Sequence, residues 1–150
     1  PKPLINARSE TVHEKPSFRE SFTHRRCLVP ATSFSEWQHN NGERIPYRLR
    51  VESGSLFAMA GIWQPFVSSH GELFEQFCIL TTTPNELMRP IHDRMPVILK
   101  RRDFATWLSP RADQKTLRSL LQPAKAEVMT ATALKPVTPP KPSVAQLNLF

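Results

Sequence analysis

Apolar and polar residues alternate along much of the chain between residues 26 and 81, which is the pattern of half-buried β-strands. The clearest cases are Ser33–Trp37 and Tyr47–Val51, which flank the turn sequence Asn40–Glu43. Alternation on both sides of an Asn-Gly-containing turn predicts a β-hairpin. Short links between apolar runs predict further antiparallel strands at Arg26–Pro30, Leu56–Trp63 and Phe74–Thr81.

Helical signals are shorter and come later in the chain. Thr83 is a suitable N-cap and Pro84 fits the first helical position, so we expect a helix over Thr83–Met88 that Pro90 ends. Apolar residues at helical spacing predict two more helical segments, within residues 100–108 and 113–121. Their inward-facing residues are predicted to be Phe104, Trp107 and Leu108, then Leu117, Leu120 and Leu121.

These elements predict an α+β fold, with a curved, mostly antiparallel, barrel-like sheet and flanking helices. Val97–Leu99 adds a short apolar strand. One hundred and fifty residues suit a single domain. Residues 135–142 contain four prolines among eight residues and predict an extended linker. We therefore expect a domain over residues 1–134, followed by a linker and tail over 135–150.

The charge balance points to a polyanionic partner. Lys and Arg number 20 against 13 Asp and Glu, a formal net charge of +7. Nucleic acid is favoured over a merely soluble basic surface. Cys27 and Cys78 lie in apolar runs, which favours buried free thiols in a reducing compartment over a disulfide between them. No apolar run reaches membrane length, so we expect a cytoplasmic protein that contacts no membrane. A nucleic-acid partner would make it nucleoid-associated.

Three polar stretches set reactive side chains among apolar neighbours. They supply an amide at Asn6, a carboxylate at Glu36, an imidazole at His92, and guanidiniums at Arg8 and Arg94. A carboxylate and an imidazole in one cleft exchange protons near neutral pH. Arginines beside them suit a phosphodiester. Taken alone, each residue also has a structural interpretation, since single carboxylates are common and Asn often caps turns.

Four motifs in order resemble the SRAP (SOS response-associated peptidase) family of abasic-site crosslinking proteins. They are Arg25–Ala31, Phe34–Trp37, Ile79–Thr82 and His92–Pro96, and the resemblance runs from about Leu4 to about Leu108. It implies the SRAP-like form of the α+β fold. It also implies a partner, single-stranded DNA with abasic sites. Neither a cofactor nor a metal is expected.

The resemblance implies a chemistry and a set of roles. Family members attack the ring-opened abasic sugar with an N-terminal cysteine, whose amine and thiol close a thiazolidine. By this resemblance Asn6 orients the cysteine, Glu36 is the acid/base, and His92 assists proton transfer near the sugar phosphate. DNA contacts are implied for four residues: Arg8, Trp37, Thr81 and Arg94, with Trp37 placed to stack on bases.

The sequence departs from the family at its start. Family members begin Met-Cys-Gly-Arg, whereas this sequence starts at the Asn-Ala-Arg stretch. We therefore expect the nucleophile and part of the sheet to be missing, and the crosslinking activity to be impaired. Cys27 and Cys78 have no free α-amine and cannot close the ring.

Three functions stay open on this basis. The first is a crosslinking abasic-site sensor of the DNA damage response. The second is a single-stranded-DNA-binding module without chemistry. The third is a weak peptidase or abasic-site lyase, in keeping with the family's name.

The last residues suggest a second partner. Four of the final five residues match the Gln-Leu-x-Leu-Phe peptide with which bacterial repair proteins bind the sliding clamp: Gln146, Leu147, Leu149 and Phe150. A short anchor behind a proline-rich arm is typical of linear motifs. The alternative is a last strand packed on the domain itself.

Overall fold

The computed structural model describes residues 4–40, 42–52 and 55–135. These residues form strands β1 (Asn6–Arg8), β2 (Arg26–Ala31), β3 (Phe34–Asn40), β4 (Glu43–Val51), β5 (Phe57–Val67), β6 (Leu73–Thr82), β7 (Met95–Pro96), β8 (Ile98–Leu99) and β9 (Met129–Ala133). The helices are α1 (Arg19–His24), α2 (Phe104–Leu108) and α3 (Gln114–Ser119).

The strands build two sheets, which together curl into a half-barrel. The larger sheet has the order β1-β6-β5-β2, with β7 and β8 added beside β6 and β5. The smaller sheet has the order β3-β4-β9. The only parallel pair among the described strands is β1 with β6. The predicted α+β fold with a curved, mostly antiparallel sheet is therefore confirmed.

The segment that follows His92 is wedged between two strands. β5 and β6 pair as far as Gly61 opposite Ile79 and then separate. Val97 fills the gap, because its carbonyl accepts from the Ala60 N–H at 2.8 Å and its N–H donates to the Leu80 carbonyl at 2.8 Å. Residues 92–96 are thereby held at the opening of the larger sheet.

Two apolar clusters cover the two faces of the larger sheet. One lies against the helices and contains Phe22, Trp107 and Leu117 with Ile62 and Leu80 of the sheet. The other lies against the smaller sheet, and its buried members include Leu49, Met59, Met88, Met95 and Met129. Alternation along β5 sends Ile62 to the first cluster and Met59 to the second. The molecule is thus layered as helices, larger sheet and smaller sheet.

Arg26 ties the helical layer to β2. Its guanidinium donates to the carbonyls of Phe22 and Thr23 in the last turn of α1, and to those of Trp107 and Ser109 at the end of α2. Carbonyls at a helix C-terminus have no partner within the helix and carry partial negative charge. A single cation therefore satisfies the ends of two helices at once.

The predicted strands are all present, but some helical expectations are wrong. The predicted helix over Thr83–Met88 is absent, and residues 86–91 form turns. Asn85, and not Thr83, caps them, because its Oδ1 accepts from the Met88 N–H at 2.9 Å. Leu108 is 47% exposed, although Trp107 beside it is buried as predicted. The elements β1, α1 and β9 were not predicted.

One edge of the larger sheet is open and apolar. Residues 73–78 of β6 pair with β5 on one side and have no strand on the other within the described residues. Exposed apolar side chains gather at this edge: Leu4, Ile5, Leu73, Phe74 and Phe77. Among the described residues, no helix has the length and apolar character that a bilayer crossing requires.

The domain boundary proposed at residue 134 falls almost at the end of the described range. Residues 136–142 of the linker and the four tail residues Gln146, Leu147, Leu149 and Phe150 lie outside the described residues.

Candidate active site

Glu36 and His92 meet between the smaller sheet and the turns that follow β6. Glu36 shares a face of β3 with Phe34, which packs on the buried cluster between the two sheets. His92 comes directly after the turns over residues 86–91. The His92 Nε2 lies 3.9 Å from the Glu36 Oε2, and the two side chains are 37% and 27% exposed. That distance exceeds a direct hydrogen bond, so a water or a sugar hydroxyl that contacts both groups would link them.

The far side of the imidazole is suited to either protonation state. The Arg94 backbone N–H donates to the His92 Nδ1 at 3.0 Å. Two acceptors lie equally near, the Asp93 Oδ1 and the Arg94 carbonyl, both at 3.2 Å from Nδ1. An unprotonated Nδ1 finds a donor there, and a protonated Nδ1 finds an acceptor. The ring can therefore gain or lose a proton on the Glu36 side without stranding its other nitrogen.

A polar tether holds the His92 turn against β3. The Gln38 Nε2 donates to the Pro90 carbonyl at 2.8 Å, and the Tyr47 hydroxyl donates to the Gln38 Oε1 at 3.4 Å. Gln38 follows Glu36 by two residues and so shares its face of the strand. The strand that carries the carboxylate thus also positions the loop that carries the imidazole. Sequence patterns gave no sign of this tether.

Arg94 is the centre of a second polar group, next to His92. Its two terminal nitrogens donate to both carboxylate oxygens of Glu10, each at 2.8 Å. Nη2 also donates to the Thr81 carbonyl at 2.6 Å. The Arg94 guanidinium lowers the pKa of Glu10 below its usual value, so this carboxylate is ionised at neutral pH. Glu10 was not among the predicted site residues.

Asn6 and Arg8 reach the same region through the parallel pairing of β1 with β6. Asn6 lies opposite Ile79, and Arg8 lies opposite Thr81. Ala7 between them is buried, so the Asn6 and Arg8 side chains project to the other face of β1. Ile79 packs on the cluster between the two sheets, as Phe34 does beside Glu36. Asn6 and Arg8 therefore face the space that Glu36 faces, although no hydrogen bond within the described residues joins Asn6 to Glu36 or His92.

Trp37 does not face that space. Successive residues of a strand point to opposite sides, so Trp37 lies on the outer side of the smaller sheet while Glu36 lies on the inner side. Its side chain is 43% exposed. The Arg44 guanidinium lies over the indole, 4.8 Å from the ring centroid.

Two open cavities border the site, and each has cationic side chains in its lining together with one carboxylate, Asp93 in the first and Glu10 in the second. One, of about 440 Å³, lies beside His92 and is also lined by His39 and Arg89. The other, of about 560 Å³, lies beside Glu10 and is also lined by Lys115 and Arg118. Such exposed cations have no distinguishing sequence pattern, and only the fold brings them to the site.

Neither thiol is an activated nucleophile. Both cysteines are free, and Cys78 is buried as predicted while Cys27 is half-buried. Burial raises the pKa of the Cys78 thiol to about 11, with a further contribution from Cys27, whose own pKa burial also raises. A Cβ on Gly61 would lie 2.9 Å from the Cys27 Sγ, which shows how closely β5 covers that thiol. Among the described residues, no group of three His, Cys, Asp or Glu side chains is placed to hold a metal.

Comparison with known proteins identifies relatives across most of the chain. The sequence model of the SOS response associated peptidase (SRAP) family matches residues 1–138. The abasic site processing protein YoqW of Bacillus subtilis is 46% identical over 130 residues, which is 85% of this chain and 58% of YoqW. The abasic site processing protein HMCES of Xenopus tropicalis is 34% identical over 63% of this chain and 34% of its own length.

The fold has a solved counterpart. A crystal structure of a protein from Bacteroides thetaiotaomicron superposes with a TM-score of 0.82 at 40% identity. The match covers 87% of this chain and 58% of the solved one. The chain therefore spans under two thirds of the length of these relatives.

Proposed function

The chain belongs to the SOS response associated peptidase (SRAP) family, and we propose that it is the DNA-binding and proton-transfer part of an abasic-site crosslinking protein. The printed names of YoqW and HMCES, abasic site processing proteins, support this substrate. So does the net charge of +7, which suits a polyanion. A DNA partner of this kind would place the protein at the nucleoid.

The observation that carries the proposal is the 3.9 Å approach of Glu36 and His92. An abasic sugar rests mostly as a closed hemiacetal, and its opening moves one proton off the ring-bound hydroxyl and another onto the ring oxygen. A carboxylate and an imidazole that contact the same edge of the sugar supply an acceptor and a donor for these transfers. Glu36 is the proposed acid/base, and His92 is its partner near the flanking phosphate.

The remaining residues are proposed to hold the strand. Asn6 orients the linkage from β1, while Arg8 and Thr81 contact the DNA backbone beside it. The Glu10 carboxylate engages both terminal nitrogens of Arg94. Before DNA binds, Arg94 therefore holds the His92 loop against Glu10. When a backbone phosphate takes the place of the Glu10 carboxylate, Arg94 binds that phosphate.

Crosslinking requires a group that these residues lack. Thiazolidine formation needs a cysteine with a free α-amine, and Cys27 and Cys78 lie within β2 and β6. We expect the 150 residues alone to bind abasic single-stranded DNA without a stable adduct. A chain extended by the family's whole N-terminal segment, which begins Met-Cys-Gly-Arg and frees the cysteine amine once Met is removed, is expected to form one.

The test incubates both chains with a single-stranded oligonucleotide carrying one abasic site, followed by denaturing electrophoresis after heating. A heat-stable shifted band from the extended chain alone supports the proposal. Strand cleavage, together with an imine intermediate that borohydride reduces to a stable adduct, would instead establish lyase chemistry. Salt-sensitive binding by both chains with no covalent product from either would reduce the protein to a binding module.

For the tail, we propose that Gln146–Phe150 binds the bacterial sliding clamp. The supporting observation is the Gln-Leu-x-Leu-Phe pattern behind a proline-rich stretch. Deletion of residues 146–150 is expected to abolish pull-down by the clamp. It should leave the thermal midpoint of the domain within about 1 °C, because the proposed contacts of the motif are with the clamp and not with its own domain. A variant with Asn148→Ala, the unspecified position of the motif, is the matched control. Retention of clamp binding by the deletion variant would exclude the tail.

A further inference from the structure

The outer side of the smaller sheet is a basic surface that the Glu36–His92 site does not use. Alternation along β3, β4 and β9 sends one set of side chains away from the buried cluster, and all of the following are exposed: Trp37, Arg44, Arg48, Arg50, Thr130 and Thr132. We call these six residues the outer basic face.

The pairing register makes this face continuous. Arg48 lies opposite Thr132, and Arg50 lies opposite Thr130. On the other side of β4, Trp37 lies opposite Pro46, next to Arg44. Arg48 and Arg50 start about 7 Å apart at roughly 3.4 Å per residue, whereas Arg44 and Arg48, with the buried Pro46 between them, start about 14 Å apart. They form a line of positive charge with hydroxyls along one flank and an indole at one end.

The charge on this face is unbalanced. Within the described residues, no outward-facing position of β3, β4 or β9 holds a carboxylate, while Glu36 and Glu43 lie at inward positions of their strands. Arg44, Arg48 and Arg50 form no salt bridge among the described residues. A sheet face that is only solvated normally mixes both signs, whereas a one-sign stripe complements a polyanion.

We propose that the outer basic face is a second contact surface for single-stranded nucleic acid, which the strand reaches by passing around the β3–β4 hairpin from the Glu36–His92 site. The arginines bind backbone phosphates, and Thr130 and Thr132 donate to neighbouring phosphate oxygens. Trp37, for which the family resemblance already implies base stacking, lies at the end of this surface with the Arg44 guanidinium 4.8 Å from its ring centroid. This inference rests on the proposed function for the identity of the bound strand. It does not depend on the proton transfers proposed for Glu36 and His92.

The test measures binding of an unmodified single-stranded oligonucleotide to the 150-residue chain by fluorescence anisotropy over a range of salt concentrations. A triple variant, Arg44→Gln, Arg48→Gln and Arg50→Gln, is compared with the native chain. For single strands, each phosphate contact contributes about 0.7 to the slope of log K against log salt. Three lost contacts should lower the slope by about 2 and weaken binding about 100-fold at 0.1 M salt.

A second triple variant carries the same change in net charge elsewhere. Arg101, Arg102 and Arg111 are exposed residues near α2, on the helical side of the molecule. Their replacement by Gln should leave the slope unchanged, because exposed charges beyond about 10 Å are screened at this salt. Trp37→Leu should weaken binding without changing the slope, since stacking releases no counterions.

Equal slopes for the two triple variants would overturn the inference, as would tighter binding to the matching duplex, in which bases are not free to stack. Circular dichroism spectra identical to the native chain establish that the variants are folded. Because the oligonucleotide has no abasic site, failure of the crosslinking test leaves this result intact. Conversely, a normal crosslink with equal slopes would refute only the outer basic face.

Discussion

Replacement of Glu36 by Gln is expected to slow crosslinking to an abasic strand by about 100-fold or more, in a chain that carries the family's N-terminal cysteine segment. Proton transfer by a positioned side chain commonly contributes 10²- to 10⁴-fold to a rate, and Gln cannot accept the proton. The amide preserves the shape of the side chain beside His92. The measurement is the single-turnover rate of adduct formation at saturating DNA, quantified from denaturing gels.

The matched control is Glu43→Gln. Glu43 is an exposed carboxylate in the same hairpin, at the start of β4. The Glu43→Gln substitution removes the same charge as Glu36→Gln. It should leave the rate within about twofold, because the described structure shows no ion pair between Glu43 and His92. DNA affinity should change little in either variant. An unchanged rate for Glu36→Gln would remove Glu36 from the chemistry.

His92→Gln offers a test of the pair as a unit. The two groups face each other across 3.9 Å, and groups that act together show strongly non-additive effects. The double variant is therefore expected to be little slower than the Glu36 variant alone. If the double variant is instead slowed by the product of the two single-variant factors, the two residues act in separate steps.

Trp107→Ala is expected to lower the free energy of unfolding by about 3–5 kcal/mol, the usual cost of emptying a buried aromatic site. The Trp107 side chain is 0% exposed and packs near Phe22, with ring centroids 6.0 Å apart. Its Nε1–H donates to the Cys27 carbonyl at 2.9 Å, so the substitution also strands a carbonyl of β2. A loss of this size is a large fraction of the 5–15 kcal/mol of a typical domain.

Urea titration followed by circular dichroism measures this loss without relying on the deleted fluorophore. Leu108→Ala is the control, because this neighbour is 47% exposed and should cost well under the same amount. Trp107→Phe should fall between them, since it keeps an aromatic ring but loses the hydrogen bond. Equal midpoints for the Trp107 and Leu108 variants would show that α2 does not anchor the helical layer.

The strands follow from the sequence because their signal is local. Alternation and turn residues around Ser33–Trp37 and Tyr47–Val51 correspond to the β3–β4 hairpin, with Gly42 at a φ of +86° in its turn. The short strand β1 has no such signal. Its backbone is extended because it pairs with β6, far away in the sequence. A helix is predicted over Thr83–Met88 because Thr83 and Pro84 fit a helix start, but the Asn85 side chain captures the Met88 N–H and residues 86–91 form turns instead.

The sequence identified the reactive residue types of the site, but not the direction in which each side chain points. The resemblance placed both Glu36 and Trp37 at the DNA, whereas successive residues of a strand face opposite ways. The structure adds what that separation means, since Glu36 meets His92 on the inner side while Trp37 meets Arg44 on the outer side.

By itself the sequence determined the longer strands, the basic charge and the identities of the reactive groups, because these depend on the residues themselves and on neighbours close in the chain. The tertiary structure alone decided which groups meet. The approach of His92 to Glu36 depends on the Gln38 tether, and the pairing of Arg94 with Glu10 depends on β1 lying beside β6. Such contacts join segments that are distant in the chain, and their geometry is set by the packing of two sheets and not by local conformational preference.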